Sequence, residues 1–508
     1  MTFFEIIRRQ RVTLPRWPAI LLLVALSSAV AIGLFVEQAP LLAIVTALAV
    51  PVAFAGLAWP DLPALAMLFL LYTNAPVVAV RFHGVPSFVA AAAPGLLVIP
   101  LLSHLFFHRE GLVINRVLQL LGLFLLAQIV ATLFSNDVSI SSQPLTTFVV
   151  EGLGIYFLIV NTIRTPETLR RAIWTLVIAG ALLGGLSLYQ QVTRTYDNNY
   201  GGFAQITGKG FGTGVEALQG EVTQERLGGP IGEKNYYAQI MLMLVPLGLS
   251  RFWGERSKRL RAFALAATGL IIVGAMLTYS RGLAIGLAAV LMLMVFMRYI
   301  KPSQFILTLL GLVLLMQAVP EFGARLSKTL PFGEVLSGEQ TTSIAQTDTS
   351  TQGRVGEMGA AALVFLDHPI VGVGPGMFKY YYLDYAELLG LQLHTGTREA
   401  HNLFLDIAAE TGAFGLISFL AIVGMALYEL NRARQRWSQS RPELAHLAAG
   451  LFLAIVSYVM TGMFLTMSYE RYFWMILALG GAVSYIARVE EAGDRGNPPS
   501  RPVLTDAG

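Results

Sequence analysis

Apolar stretches long enough to cross a membrane recur along almost the whole chain, separated by short polar or basic segments. A helix needs about 20 predominantly apolar residues to span the hydrocarbon core of a bilayer. The pattern therefore predicts an all-α, multi-pass membrane protein with about 14 transmembrane helices, or roughly 12 to 14 where prolines blur the boundaries. The predicted spans are about 18–36, 40–58, 62–80, 88–107, 116–135, 145–163, 170–190, 236–252, 260–278, 282–299, 303–319, 413–430, 444–465 and 471–488.

Two polar segments are too long to be simple turns between helices, and loops of such length are usually functional or disordered. We expect the second to carry short helices and the candidate catalytic residues. The chain accordingly divides into N-terminal helices (1–190), a first outward loop (191–235), central helices (236–319), a large outward loop (320–412), C-terminal helices (413–488) and a disordered cytoplasmic tail (489–508).

The composition agrees with a membrane protein, because 55% of the residues are hydrophobic and only 13% are charged. Soluble domains carry about 25% charged residues. The net charge of +4 is small and spread along the chain, so we attribute it to membrane topology and predict no nucleic-acid partner. The chain has no cysteine, which excludes disulfides, thiolate metal sites and a cysteine nucleophile.

The distribution of basic residues predicts the orientation of the helices. If the N-terminus is cytoplasmic, most lysines and arginines of the short segments fall on the inner side, as the positive-inside rule requires. Both termini are then cytoplasmic, and the two long loops face outward. The arginines before the first apolar run, with Ala29-Val30-Ala31, also fit a cleaved signal peptide. We favour an uncleaved first helix, because another apolar run follows almost at once.

Titratable residues concentrate at the end of the large loop. From Asn402 the sequence predicts a helix, with Asn402, Asp406 and Glu410 at every fourth position on one polar face. His401 directly precedes that helix, and histidine is the side chain best matched to proton abstraction near neutral pH. The N–H groups at the helix start would also favour a phosphate nearby. We therefore select His401 as a candidate general base.

Arginines form the second candidate group. The outward segments contain Arg226, Arg281, Arg354 and Arg398. An arginine fork binds phosphate oxygens through two hydrogen bonds at once, and an arginine buried in a membrane without a partner is costly. We predict that these arginines hold a phosphate-bearing substrate. A solvated surface charge is equally open for Arg398, and Arg281 is either paired structurally or reaches into the site.

Other motifs are absent or ambiguous. The sequence has neither the nucleotide-binding GxxxxGK[ST] pattern nor the zinc-binding HExxH pattern, and we predict no metal site. The turn from Gly372 to Gly376 either presents N–H groups to an anion or is simply tight. The tyrosines from Tyr380 to Tyr385 either stack on sugars or form an interfacial belt. Glu151, inside a predicted span, is either a relay group or a packing partner.

Three passages resemble the O-antigen ligase and polymerase superfamily of bacterial membrane glycosyltransferases. They are Arg226 to Asn235, then Tyr279-Ser280-Arg281-Gly282, and finally Arg354 through Gly372–Gly376 to His401-Asn402 and Glu410-Thr411-Gly412. The resemblance covers roughly residues 220–480. Met358 stands where the family often has Trp, and Glu233-Lys234-Asn235 stands where it often has an Asn-Pro-Asn-like segment. These departures bear on the details of donor recognition.

The resemblance implies a GT-C-like helical fold in the bacterial inner membrane, with its active-site loops in the periplasm. The donor would be a glycan on undecaprenyl pyrophosphate, and no cofactor or metal would be needed. His401 would take the proton of an acceptor hydroxyl, Arg354 would stabilise the departing charge, and the anomeric carbon would be inverted. The residues implied in binding pyrophosphate or glycan are Arg226, Asn235, Arg281, Arg398, Asn402 and Glu410.

Two questions stay open at this point. The acceptor could be the growing polysaccharide, the lipid A core or a protein, and other polysaccharide assembly proteins are expected partners. A second function class is a transporter or flippase of lipid-linked saccharides, which would use Glu151, Arg281, Glu470 and Arg471 inside the membrane. Against transport, the polar residues concentrate in the outer loops and the sequence has no evident internal repeat.

Overall fold

The computed structural model describes residues 59, 61–107, 109–207, 225–317, 349–389, 398–466 and 470–494. Within these ranges the chain is almost entirely helical, as predicted. Strand β1 (Gln205–Ile206) pairs with β2 (Leu227–Gly229) in an antiparallel sheet that joins the two ends of the first loop. The predicted spans 18–36 and 40–58, and the candidate cleavage site, lie outside the described residues.

The helices follow one another along the chain and are joined or interrupted by short 3₁₀ and π-helical turns. The α-helices are α1 (Asp61–Tyr72), α2 (Ala75–His83), α3 (Ser87–Ala92), α4 (Val98–Leu102), α5 (Arg116–Leu133), α6 (Val138–Thr147), α7 (Ile155–Thr162), α8 (Pro166–Thr193), α9 (Lys234–Gly254), α10 (Lys258–Met276), α11 (Arg281–Phe296), α12 (Pro302–Gln317), α13 (Thr349–Asp367), α14 (Phe378–Leu388), α15 (Leu403–Ser440), α16 (Pro442–Thr461) and α17 (Arg471–Asp494). The 3₁₀ turns are Ala93–Leu97, Tyr200–Gly202 and Gly462–Phe464, and the π-helical turns are Ser103–Phe107 and Phe148–Gly154.

The described chain contains 8 helices long and apolar enough to cross a membrane. The count becomes 9 if α1 and α2, bent by 57° at their junction, form one span. Every span predicted between residues 62 and 488 coincides with a helix or with this pair. The total of about 14 is not confirmed, since α9, α11 and α12 fall short of that length or composition. The chain is an all-α, multi-pass membrane protein, and its GT-C-like character stays a prediction.

Helix α9 forms the centre of the bundle, where it packs on α8, α10, α11 and α16. Most of its side chains are buried, and they point in all directions from the helix axis. A helix surrounded by other helices needs no polar face. Small residues allow the closest approach between its neighbours, since a Cβ at Gly184 of α8 would lie 2.2 Å from the Leu270 carbonyl oxygen of α10.

Different polar contacts mark the two ends of the bundle. At one end, ion pairs such as Arg164–Glu110 (3.0 Å) and Arg441–Glu490 (2.6 Å) join the segments rich in basic residues. At the other end, hydrogen bonds connect the start of α9 with the loops around α15, α16 and α17. The predicted site residues all lie at this second end.

One predicted boundary is wrong. The tail was expected to be disordered from residue 489, but α17 continues to Asp494. Glu490 and Glu491 are held there by hydrogen bonds and ion pairs to Trp437, Arg441 and Arg436, which stabilise the last turns of the helix. The rest of the predicted tail lies outside the described residues.

Candidate functional site at one end of the bundle

The site is built where helix α15 begins and kinks. Asn402 caps the helix, because its Oδ1 accepts hydrogen bonds from the N–H groups of Phe404 (3.0 Å) and Leu405 (3.1 Å). Its side-chain amide donates to the Met463 carbonyl (3.2 Å). The predicted helix start is therefore present, but the cap already uses the N–H groups that were expected to attract a phosphate. At Gly412 the backbone has φ 65° and ψ −167°, a conformation essentially restricted to glycine.

The glycine-rich turn packs against this kink. The N–H of Val373 donates to the Ala409 carbonyl (3.0 Å), and the N–H of Gly374 donates to the Glu410 carbonyl (2.9 Å). A Cβ at Gly372 would lie 2.4 Å from the Glu410 carbonyl carbon, so only glycine permits the approach. The turn and the start of α15 are thereby held as one unit.

The side chain of Glu410 shows whether the glycine-rich turn presents its N–H groups to an anion. Its carboxylate accepts hydrogen bonds from the backbone N–H groups of Gly376 and Phe378, the latter at 3.4 Å. The turn does present N–H groups to an anion, and that anion is a carboxylate of the same chain. Glu410 thus braces the turn, and its contact with a substrate stays a prediction.

His401 faces helix α13, where it meets Glu357. The Nε2 of His401 lies 3.6 Å from Oε2 of Glu357, which suits an ion pair but is too long for a hydrogen bond. The Nδ1 of His401 is buried and has no hydrogen-bond partner among the described residues. Glu357 is only 3% exposed. The backbone of His401 has φ 47°, a left-handed conformation that is uncommon outside glycine and clusters at functional sites.

The surroundings shift the pKa of both residues in the direction that favours the uncharged form of each side chain. Burial raises the pKa of Glu357 to about 7, although Arg398 and Arg354 act in the opposite direction. Burial, followed by the charge of Arg354, lowers the pKa of His401 below its ordinary value of 6.5. At neutral pH the His401 imidazole is therefore uncharged and able to accept a proton.

Arg354 and Arg398 bring positive charge to this pair. Arg354 lies on α13, one turn before Glu357, and Arg398 lies three positions before His401. Both act electrostatically on Glu357 and on His401. The structure therefore brings together Arg354, Arg398 and His401, three of the predicted site residues, around the Glu357 carboxylate, which the sequence analysis did not select. The spacing of Arg354 and Glu357 could have signalled it, because residues three apart share one helix face.

Arg226 and Arg281 belong to a second group, at the turn between α10 and α11. Arg226 donates from Nε to the Thr278 carbonyl (3.0 Å) and from Nη2 to the Tyr279 carbonyl (2.7 Å). Tyr279 has φ 53°, so the arginine stabilises a left-handed turn. Arg281 follows this turn as the exposed first residue of α11. Arg226 thus fixes the turn that carries Arg281, and its role in binding phosphate stays a prediction.

Asn235 connects this turn with the neighbourhood of His401. Ser280 Oγ donates to Asn235 Oδ1 (3.0 Å), and Asn235 Nδ2 donates to Glu233 Oε1 (3.1 Å). The next residue, Tyr236, donates from its hydroxyl to Oε2 of Glu399 (3.2 Å). Glu399 lies two positions before His401. A continuous set of hydrogen bonds therefore runs from the second group to the segment that carries the histidine.

The charged residues of the adjoining spans pair with each other. Arg471 forms an ion pair with Glu151 (3.2 Å) and donates to Asn74 Oδ1 (2.6 Å). Glu470 accepts a hydrogen bond from the indole N–H of Trp474 (2.9 Å). Glu151 therefore connects two spans through an ion pair, as a packing partner would, and its role as a relay group stays a prediction. In the described ranges, no group of three or more His, Asp or Glu side chains is placed to hold a metal ion.

Two adjoining cavities open beside the glycine-rich turn. Their volumes are about 550 and 290 Å³, and Pro144, Gly376, Lys379 and Glu470 line both. Glu399 lines the smaller cavity, which therefore reaches toward the segment that carries His401. Pockets of about 300–1,000 Å³ are typical of ligand-binding sites.

The comparison with protein families agrees with this geometry. A family model described as O-antigen ligase matches residues 266–420. The matched segment contains Arg354, Glu357 and His401, whereas Arg226 precedes it. A search of curated proteins found no match to the chain. The resemblance inferred from the sequence is thereby confirmed for residues 266–420, which are similar to the O-antigen ligase family.

Proposed function

We propose that this protein transfers a glycan from undecaprenyl pyrophosphate to an acceptor hydroxyl at the periplasmic face of the bacterial inner membrane. One observation carries the proposal. A neutral histidine, His401, lies 3.6 Å from the buried carboxylate of Glu357, with Arg354 and Arg398 acting on both. This combination supplies a base and positive charge at one place, as transfer from a pyrophosphate requires.

In the proposed step, the oxygen of the acceptor hydroxyl attacks the anomeric carbon of the donor sugar. His401 takes the hydroxyl proton as the new C–O bond forms. The bond between the anomeric carbon and the phosphate oxygen breaks, and undecaprenyl pyrophosphate leaves with the electron pair. Attack opposite the leaving group inverts the anomeric configuration. Glu357, as a carboxylate, then stabilises the imidazolium that His401 becomes.

The arginines hold the pyrophosphate and stabilise its departing charge. Arg354 and Arg398 are the arginines that we assign first to the pyrophosphate, because their charges already influence the pKa of His401. Arg281 is exposed at the same end of the bundle and completes the set, while Arg226 fixes the turn that carries it. We propose that no metal ion or other cofactor takes part, so that transfer continues in the presence of EDTA.

The acceptor is a growing polysaccharide or the lipid A core. Transport of lipid-linked saccharides receives less support, because the groups it would use inside the membrane already have partners. Glu151 and Arg471 pair with each other, and Glu470 accepts the hydrogen bond from Trp474. Such contacts are expected of residues that hold spans together.

Purified protein in nanodiscs, given lipid-linked glycan isolated from the host, tests the proposal. Release of undecaprenyl pyrophosphate together with a lengthened or newly attached glycan, measured by mass spectrometry with EDTA present, is the expected result. Arg354→Ala should abolish it, and Arg81→Ala is the matched control, because Arg81 is exposed on α2 and packs on Phe82. Movement of intact donor across the membrane without cleavage would favour transport instead.

A further inference from the structure

The smaller cavity contains a polar side chain that the proposed chemistry leaves unexplained. Gln128, on α5, is only 6% exposed and lines this cavity. In the part of the chain that the structure describes, its amide has no hydrogen-bond partner. Polar side chains inside transmembrane helices are rare unless they serve a function, and this one is available to a molecule in the cavity.

Acidic side chains are frequent among the other described residues that line the two cavities. The smaller cavity is lined by Glu399, Asp406 and Glu410, and Glu470 lines both cavities. Among the described lining residues, the positive charges are Lys379 and Arg471, and Arg471 is already paired with Glu151. Carboxylates accept hydrogen bonds, and a glutamine amide both donates and accepts them. Acidic side chains thus outnumber basic ones in the described lining, which suits a ligand rich in hydroxyl groups and disfavours an anionic one.

We propose that these cavities bind the acceptor glycan, with the Gln128 amide hydrogen-bonded to it, and that the sugars bound there carry no negative charge. The proposal rests on the function proposed above, in which one glycan must be held beside the donor. The two binding regions then differ in charge. Arginines around His401 attract the pyrophosphate of the donor, whereas the carboxylates of the cavities keep a second phosphate away.

The geometry also orients the acceptor. Glu399 lines the smaller cavity, lies two positions before His401, and is fixed by hydrogen bonds from Tyr236 (3.2 Å) and Thr466 (2.8 Å). We place the terminal sugar of a bound acceptor beside Glu399, which among the described lining residues is the nearest to His401 in the chain. A phosphorylated or uronic acid-rich saccharide is excluded by the same carboxylates.

Single-cysteine variants measure the charge preference directly, because the chain has no other cysteine. Gln128→Cys in nanodisc-embedded full-length protein is modified with cationic and anionic methanethiosulfonate reagents of similar size. Ser139→Cys, exposed at the start of α6, is the matched control. We expect the ratio of cationic to anionic rates to be at least about tenfold higher at position 128 than at position 139. Equal ratios at the two positions would overturn the charge preference.

Cross-linking in host membranes tests occupancy by a glycan. Gln128→Cys and Ser139→Cys carrying a benzophenone maleimide are irradiated, denatured, and stained for periodate-sensitive sugar. A sugar-bearing adduct at position 128, several-fold stronger than at position 139, is expected. Equal adducts at both positions, or none at position 128, would contradict the proposal. Neither measurement requires transfer, so a glycan bound at position 128 in a protein that releases no undecaprenyl pyrophosphate would refute the function and leave the binding site standing.

Discussion

Glu357 and His401 face each other across 3.6 Å, one on helix α13 and the other just before α15. Burial favours the uncharged form of both side chains, since it raises the pKa of Glu357 to about 7 and lowers the pKa of His401. When His401 accepts a proton, Glu357 in its carboxylate form can balance the new charge. The pair thus gives proton transfer a partner that the sequence motif alone does not contain.

Glu357→Gln should slow transfer by about 10- to 100-fold, because an ion pair near 4 Å contributes up to about 4 kcal/mol at intermediate dielectric and about 1.4 kcal/mol is worth tenfold. Single-turnover rates of wild type and Glu357→Gln, at saturating donor, measure this decrease. The matched control is Glu387→Gln on the exposed face of α14, which should keep the wild-type rate. A normal rate in Glu357→Gln would remove Glu357 from the mechanism.

Arg354→Ala should raise the pKa of His401, because the arginine charge opposes formation of the imidazolium. Arg398→Ala should raise it by a smaller amount, since Arg398 is the weaker influence of the two. NMR titration of protein labelled in its histidine rings, assigned with His401→Ala, measures both shifts. An unchanged or lower pKa in Arg354→Ala would show that the guanidinium does not act on His401.

Transfer by the wild type should fall as the pH drops through the pKa of His401, at a value below 6.5. The sign follows from the role of a base, which must be uncharged before it accepts a proton. Initial rates across the pH range, at saturating donor, measure the midpoint. A rate that rises on acidification in this range would contradict a histidine base.

The structure accounts for which features the sequence could predict. Apolar periodicity located the described spans, since a bilayer imposes one length on every helix. The proximity of His401 to Arg398 was also evident, because the two residues are only three positions apart in the chain. The spacing of Glu357 from Arg354 indicates one shared helix face, but only the packing of α13 shows that this face turns toward His401. The bonds of Arg226 to the carbonyls of Thr278 and Tyr279 likewise depend on packing between distant segments.

The hydrogen-bond partners of Glu410 could not be predicted from the sequence either. Its position on the polar face of α15 was evident, but its partners are N–H groups of a turn more than thirty residues earlier in the chain. A pattern in the sequence identifies a polar residue and cannot tell whether the substrate or the chain itself uses it. Asn402 is similar, since it resembles a binding residue and acts as a helix cap.

Gly412→Ala should destabilise the protein by at least about 2 kcal/mol, because a Cβ there would be forced into a conformation open essentially to glycine. That Cβ would also lie 2.2 Å from the Ile370 carbonyl oxygen. The apparent melting temperature in detergent measures the loss. Gly353→Ala is the control: it lies within α13, no atom approaches its position within 4 Å, and it should leave stability unchanged or slightly higher.

Asn402→Ala should cost about 1 kcal/mol through loss of the helix cap, and Asn402→Asp should restore most of it, because aspartate caps helices equally well. Melting temperatures and transfer rates are compared for both variants. If Asn402 acts as a cap, stability and activity recover together in Asn402→Asp. Recovery of stability without activity would indicate that transfer needs the amide itself, either for the substrate or for its hydrogen bond to the Met463 carbonyl.

His401 as the base in glycan transfer is the step on which the proposed function depends. The most direct measurement is a deletion strain of the host, complemented with wild type, His401→Ala or His368→Ala, with its surface glycans separated on a gel. His368 packs on Tyr381 at the same end of the bundle and serves as the control. We expect wild type and His368→Ala to restore the glycans, and His401→Ala, expressed at the same level, to accumulate lipid-linked donor. A normal glycan pattern from His401→Ala would contradict the account.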